Sequence, residues 1–208
     1  MFTMNCRGLL RVVEKPVVMG IINVTPDSFF EGSRRMDPEA VLSLAEKMLA
    51  AGASILDMGG QSTKPGAKRI GANEEMDRVL PAVETIHRNF PDAWISIDTF
   101  YASVAEAAIE AGAGMVNDIS AGSIDDNLLP CVARMKVPYV CMHMQGDPEH
   151  MQTAPHYNHV TQEVLDFLIR RTAFCRSSGI QDIIIDPGFG FGKTIAHNFT
   201  LLRELAAF

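Results

Sequence analysis

The stretch WISIDTFYASVAEAAIEAGAGMVN, residues 94–117, contains one full cycle of the pattern that decides the fold. It opens on a short apolar run, residues 94–97, that stops at the carboxylate of Asp98. A run of that length bounded by polar residues reads as a buried strand. From residue 102 to 111 the apolar positions recur at three- and four-residue steps, the period of an amphipathic helix. Gly112 then suits the left-handed cap that turns a helix back toward a sheet, and a second apolar run, 114–117, follows it.

The same unit repeats on both sides of this stretch. Further strands are predicted at 17–22, 54–58, 139–142 and 183–185, with helices at 38–51, 74–88 and 161–176, and Gly52 and Gly179 occupy the place of Gly112. Alternating strands and helices give an α/β fold with a parallel sheet. Each run is followed by residues suited to chemistry: Asn23, Asp57 with Gly59 and Gly60, Asp98, Asn117, His143 and Asp186. A doubly wound sheet gathers its ligand groups near one switch point, whereas a barrel brings the C-terminal ends of all its strands to one mouth. The even spread predicts a TIM (β/α)8 barrel, with about six of the eight strand-helix units in this chain and residues 1–208 in one domain.

Composition narrows the function classes. With 208 residues, 47% hydrophobic and 21% charged, the chain has room for one sizeable core, and its net charge of -7 disfavours nucleic acid or an anionic membrane as partner. Cys6, Cys131, Cys141 and Cys175 are far apart and form no Cys-x-x-Cys pair, so free thiols are expected rather than a zinc site or a disulfide framework. No stretch reaches the roughly 18 apolar residues of a membrane span, and the first ten residues lack a signal-peptide pattern, so a cytoplasmic location is expected.

Three loops hold the candidate chemistry. Residues 23–32 combine turn formers with two aromatics and two acids, and residues 59–67 join close backbone approach, hydroxyls and the cation of Lys64, a combination suited to a phosphate. For each the plain alternative is a solvated βα connection. The segment from Asp186 to Thr194 resembles a nucleotide-binding loop but fails both spacings: Pro187 stands where a P-loop needs glycine, and Lys193 where the dinucleotide fingerprint does. What remains is a glycine-rich loop with two aromatics, beside a carboxylate and a lysine, where a flat ring could stack.

Asp98, Asn117 and Asp186 end apolar strands and point to a partly dry mouth where a ligand supplies donors. The alternative for them is local: Asp98 capping the next helix, and Asn117-Asp118 forming a turn. His143, His150, His156 and His159 raise a metal site, but Pro148 and Pro155 break the segment, and loop ordering is the preferred reading.

Taken together, six segments resemble the dihydropteroate synthase family: residues 19–29, 57–66, 96–99, 116–119, 142–146 and 186–193. The resemblance implies a reaction of 6-hydroxymethyl-7,8-dihydropterin pyrophosphate with para-aminobenzoate, inhibited by sulfonamides. By position it implies that Asp98, Asn117 and Asp186 bind the pterin, with Met144, Phe191 and Gly190 against its ring. Asn23 would help to hold Mg²⁺ on the pyrophosphate, and Thr63, Lys64, Pro65, Phe29 and Phe191 would build the pyrophosphate and para-aminobenzoate pocket. The catalytic set is Asp98 with Lys64 and Asp27, and the family implies a homodimer.

Two departures stand out. Lys64 takes the place of the family's usual arginine, keeping the charge and losing the bidentate fork. The chain also ends at Phe208, before the family's last two strands and their lysine and Arg-x-His residues, so a fragment, or an incompletely resolved or truncated product, is expected. The rival readings are a non-catalytic pterin-binding fragment and a methyltetrahydrofolate-dependent methyltransferase, against which the first two loops speak.

Overall fold

The computed structural model describes residues 1–25, 38–61, 69–146, 151 and 153–208. A hairpin of β1 (Phe2–Cys6) and β2 (Leu9–Val13) comes first. Then follow β3 (Val18–Asn23), α1 (Pro38–Ala50), β4 (Ala53–Gly59), α2 (Ala72–Asn89), β5 (Trp94–Asp98) and α3 (Ala102–Ala111). The rest comprises β6 (Met115–Asp118), α4 (Leu128–Met135), β7 (Tyr139–Met142), α5 (Val160–Ser177), β8 (Ile183–Asp186) and α6 (Ile195–Arg203).

Strands β3 to β8 pair in parallel and in strict sequence order. A doubly wound sheet must reverse its order at a switch point, so an order that never reverses is that of a (β/α)8 barrel, six of whose units are present here. All six expected strands are found. Several run one residue longer than their apolar runs, because Asn23, Gly59, Asp98 and Asp186 keep their backbone in the ladder although they are not apolar. Gly52, Gly112 and Gly179 have φ of 102°, 130° and 98°, the positive range that a helix-ending turn requires.

Successive strand residues face opposite sides, and the core divides accordingly. Leu56, Met58, Ile95, Ile97, Val116, Tyr139 and Cys141 pack outward against Val79, Val83, Val104, Ile109 and Leu128 of the helices. Each such fully buried side chain stabilises the fold by about 1.5–3 kcal/mol. Ile55, Met115 and Val140 face inward and pack with Met4 and Val13, so the hairpin covers the floor of the sheet. Its two-residue turn places Arg7 and Gly8 at φ 57° and 85°, and Asn5 donates its backbone N–H to Asp182 beside β8 (2.7 Å).

Candidate active site

Parallel register puts Asn23, Gly59, Asp98 and Asn117 in one row across β3, β4, β5 and β6. A Cβ added at Gly59 would lie 3.3 Å from Asp98 Oδ2 and 3.4 Å from Asn23 Oδ1. The glycine therefore leaves a cradle between two side-chain oxygens that any larger residue would fill.

One step deeper, Asp57 is only 3% exposed and accepts a hydrogen bond from Asn117 Nδ2 at 2.8 Å. Its other oxygen is buried without a partner among the described residues. Burial raises the Asp57 carboxyl above the usual range, while Ser96 and Asn117 pull it down. The Ser96 hydroxyl, level with Asp57 in the ladder, closes no hydrogen bond of ordinary geometry, which leaves Asn117 as the bonded partner. Asp98 keeps part of its surface open, yet burial pushes it well above the usual range, and Asp57, Glu75 and Asp118 add to the push. Carboxylates crowded this way favour a proton or a cationic ligand between them.

Asp186 lies level with Met142, one step farther toward the loops, and accepts from the backbone N–H of Gly188 (2.7 Å). Met144 and Phe191 pack on one apolar cluster with Phe100, Ile119 and Met142, so the two expected ring contacts meet near the ends of β5 to β8. Gly190 is exposed and gives its N–H to Asn198.

The local alternatives divide. Asp98 does not cap α3: the Ala102 N–H there is taken by Asp125 (2.8 Å), whose loop position lets it reach the first turn. Asp118 does form a turn, accepting from Ser120 N, Ser120 Oγ and Gly122 N, and also from Tyr139 Oη. Asn117 faces the mouth instead, because the strand period turns neighbours to opposite sides.

The sequence did not single out the role of Lys193. It is 3% exposed, and its Nζ donates to the carbonyls of Gly188 (2.8 Å), Phe191 (2.9 Å) and His143 (3.3 Å) and lies 2.9 Å from His143 Nδ1. Burial lowers Lys193 to about 8, and burial with the lysine charge lowers His143 to about 4. A neutral histidine thus accepts from a charged lysine, and the pair locks the glycine-rich loop to the end of β7. This is where His143 is used. His156 gives its backbone N–H to Gln145 and accepts from it, and no group of metal-ligating side chains occurs among the described residues.

Asp27, Phe29, Thr63, Lys64, Pro65 and His150 lie outside the described residues. The base of the second loop is described. Gln61 Nε2 donates to Ile70 O (3.1 Å) and Glu75 Oε2 (2.8 Å), Ile70 N donates back to Gln61 Oε1 (3.2 Å), and Arg78 holds the Gly60 carbonyl (2.9 Å). A single glutamine side chain thus ties the two ends of that loop together.

Residues 19–208 match the family described as pterin binding enzyme. The chain is 44% identical over 195 residues to a dihydropteroate synthase of Haemophilus influenzae, an alignment covering 93% of this chain and 70% of that protein. A Yersinia pestis dihydropteroate synthase solved with a sulfonamide drug superposes with a TM-score of 0.91 at 40% identity, covering 99% of this chain and 75% of the other. A Xanthomonas albilineans dihydropteroate synthase solved with 4-aminobenzoic acid gives 0.89 at 42% identity, with 99% and 73% covered.

Proposed function

The chain belongs to the pterin-binding enzyme family, among its dihydropteroate synthases, and from that premise we propose how it acts. It is a transferase of folate biosynthesis that condenses 6-hydroxymethyl-7,8-dihydropterin pyrophosphate with para-aminobenzoate, giving 7,8-dihydropteroate and pyrophosphate. The observation that carries the site assignment is the row of polar groups at the mouth, Asn23, Asp98 and Asn117, open around Gly59 and backed by buried Asp57.

In this reading Asp98, Asn117 and Asp186 bind the donor-rich edge of the pterin, and Met144, Phe191 and Gly190 lie along its ring. A carboxylate suits a ring amide and amino group because it only accepts. When the carbon-oxygen bond to pyrophosphate breaks, the pterin is left cationic, and the preformed negative charge of Asp98 stabilises it until the aryl amine closes the new carbon-nitrogen bond. Asp27, Phe29, Thr63, Lys64 and Pro65 come from the two loops that enclose pyrophosphate and para-aminobenzoate and keep out water.

Mg²⁺ is part of the proposal, and bound there it neutralises charge on the leaving pyrophosphate. The donor set fits an ion that brings most of its ligands with the substrate. Asn23 Oδ1 is a hard neutral oxygen at the rim, and this metal takes few protein ligands besides phosphate and water. A cytoplasmic location and a homodimer complete the reading. Among the described residues no helix is long and apolar enough to cross a membrane.

The test is turnover by this chain with both substrates and Mg²⁺, read as pyrophosphate release. Release that needs para-aminobenzoate, and that a sulfonamide suppresses, supports the assignment. Pterin binding with no release would make the chain a non-catalytic binder, and indifference to the pyrophosphate group would favour the methyltransferase chemistry.

A further inference from the structure

We infer that Asp57 is a positioning residue: its hydrogen bond fixes the side-chain amide of Asn117 so that the carbonyl oxygen serves the mouth, selecting a ring that presents an N–H there. The inference rests on the proposed place of Asn117 in the pterin site. An asparagine amide is nearly symmetric in shape and can present either its donor or its acceptor to a ligand. A carboxyl oxygen that takes the amide N–H removes the choice, because the Nδ2 end is then turned toward it and the Oδ1 end away. Here Asp57 Oδ2 takes the Asn117 amide N–H at 2.8 Å, from one step deeper in the barrel. The Asn117 side chain stands in the same row as Asp98, and its Oδ1 bonds to no described group.

Asp57 is held where it can do nothing else of this kind. It is 3% exposed, points inward on β4 like Gly59, and has no charged partner of opposite sign among its described bonds. Removing such a buried carboxylate would relieve a desolvation cost, so stability alone does not account for it. Its neighbour Asp98 meets the ligand in the proposed site, whereas Asp57 reaches it only through Asn117.

A double-mutant cycle reads the link, with calorimetric binding of 6-hydroxymethylpterin, the substrate ring without its pyrophosphate, to the full 208-residue chain. Asp57→Ala is expected to weaken binding about tenfold, the upper range for the loss of one hydrogen bond. Asp57→Asn keeps a carbonyl acceptor and stays within about threefold, since the orienting bond survives at neutral strength. In an Asn117→Ala background, Asp57→Ala should change affinity by less than about twofold, because its effect passes through the missing amide. The thermal midpoint of Asp57→Asn should not fall, which separates a positioning role from a structural one.

A full tenfold loss on top of Asn117→Ala overturns the positioning role while leaving the pterin site intact. Wild-type affinity in Asn117→Ala alone, or no binding by the unmodified chain, overturns the site reading itself. If Asp57→Ala does not fold, the similarly shaped and apolar Asp57→Leu takes its place in the cycle.

Discussion

Burial and the charges of Asp57, Glu75 and Asp118 hold the Asp98 carboxyl well above its ordinary range. A carboxyl whose folded value is raised favours the folded state at low pH and loses that contribution as pH rises through the raised value. Ionised Asp98 is therefore a cost to folding at neutral pH. Asp98→Asn is expected to raise stability by about 1 kcal/mol at pH 7 and to lower kcat by about 100-fold. Thermal melts at pH 7 and pH 4 should show the stability gain shrinking in acid, and a gain independent of pH would contradict the burial argument. His143 works with the opposite sign. Its value of about 4 lies below the ordinary 6.5, so stability falls as pH drops from 6.5 toward 4, and its ring should stay neutral through pH 5.5 in an NMR titration. The strand-end carboxylates were legible because polar residues ending apolar runs are conspicuous. The Asp57–Asn117 pair was not, being 60 residues apart in the chain, and neither was Lys193, since a buried cation and a solvated one are written with the same letter.

At the level of elements, the glycines that end helices make a graded test. Gly52 has φ of 102° and open space where a side chain would go, whereas a Cβ at Gly112, φ 130°, would collide with the His87 ring of α2. Gly52→Ala should cost about 1 kcal/mol from backbone strain alone, and Gly112→Ala about 2 kcal/mol or more once overpacking is added. Urea unfolding of the two variants checks the order, and equal costs would remove the role of the α2–α3 contact. Those glycines made the helix ends readable. Helix α4 lacked the signal, since it ends on Lys136 in a left-handed conformation at φ 53°. Asn117 and Asp118 show what a two-residue period adds: adjacent letters, opposite faces, one serving the mouth and the other bonded to Tyr139 in the outer layer.

For the whole molecule, the barrel class followed from where the polar residues fall, and strict strand order bears it out. The β1–β2 hairpin did not stand out, because its turn depends on Arg7 adopting a positive φ that arginine rarely takes. Deleting residues 1–14 should uncover Ile55, Met115 and Val140, bind a hydrophobic dye and lower the thermal midpoint. An unchanged melt would mean that the hairpin adds nothing to the floor.

The order of pairing also sets an order of assembly. Each of the strands β4 to β8 finds its neighbour in the strand just made, so the sheet can grow from one end while the chain is still being synthesised. The Asn5–Asp182 bond spans 177 positions and breaks that rule. Asn5 must wait until Asp182 has been made to complete this tie, and until then the part of the floor that it covers beside β8 does not exist.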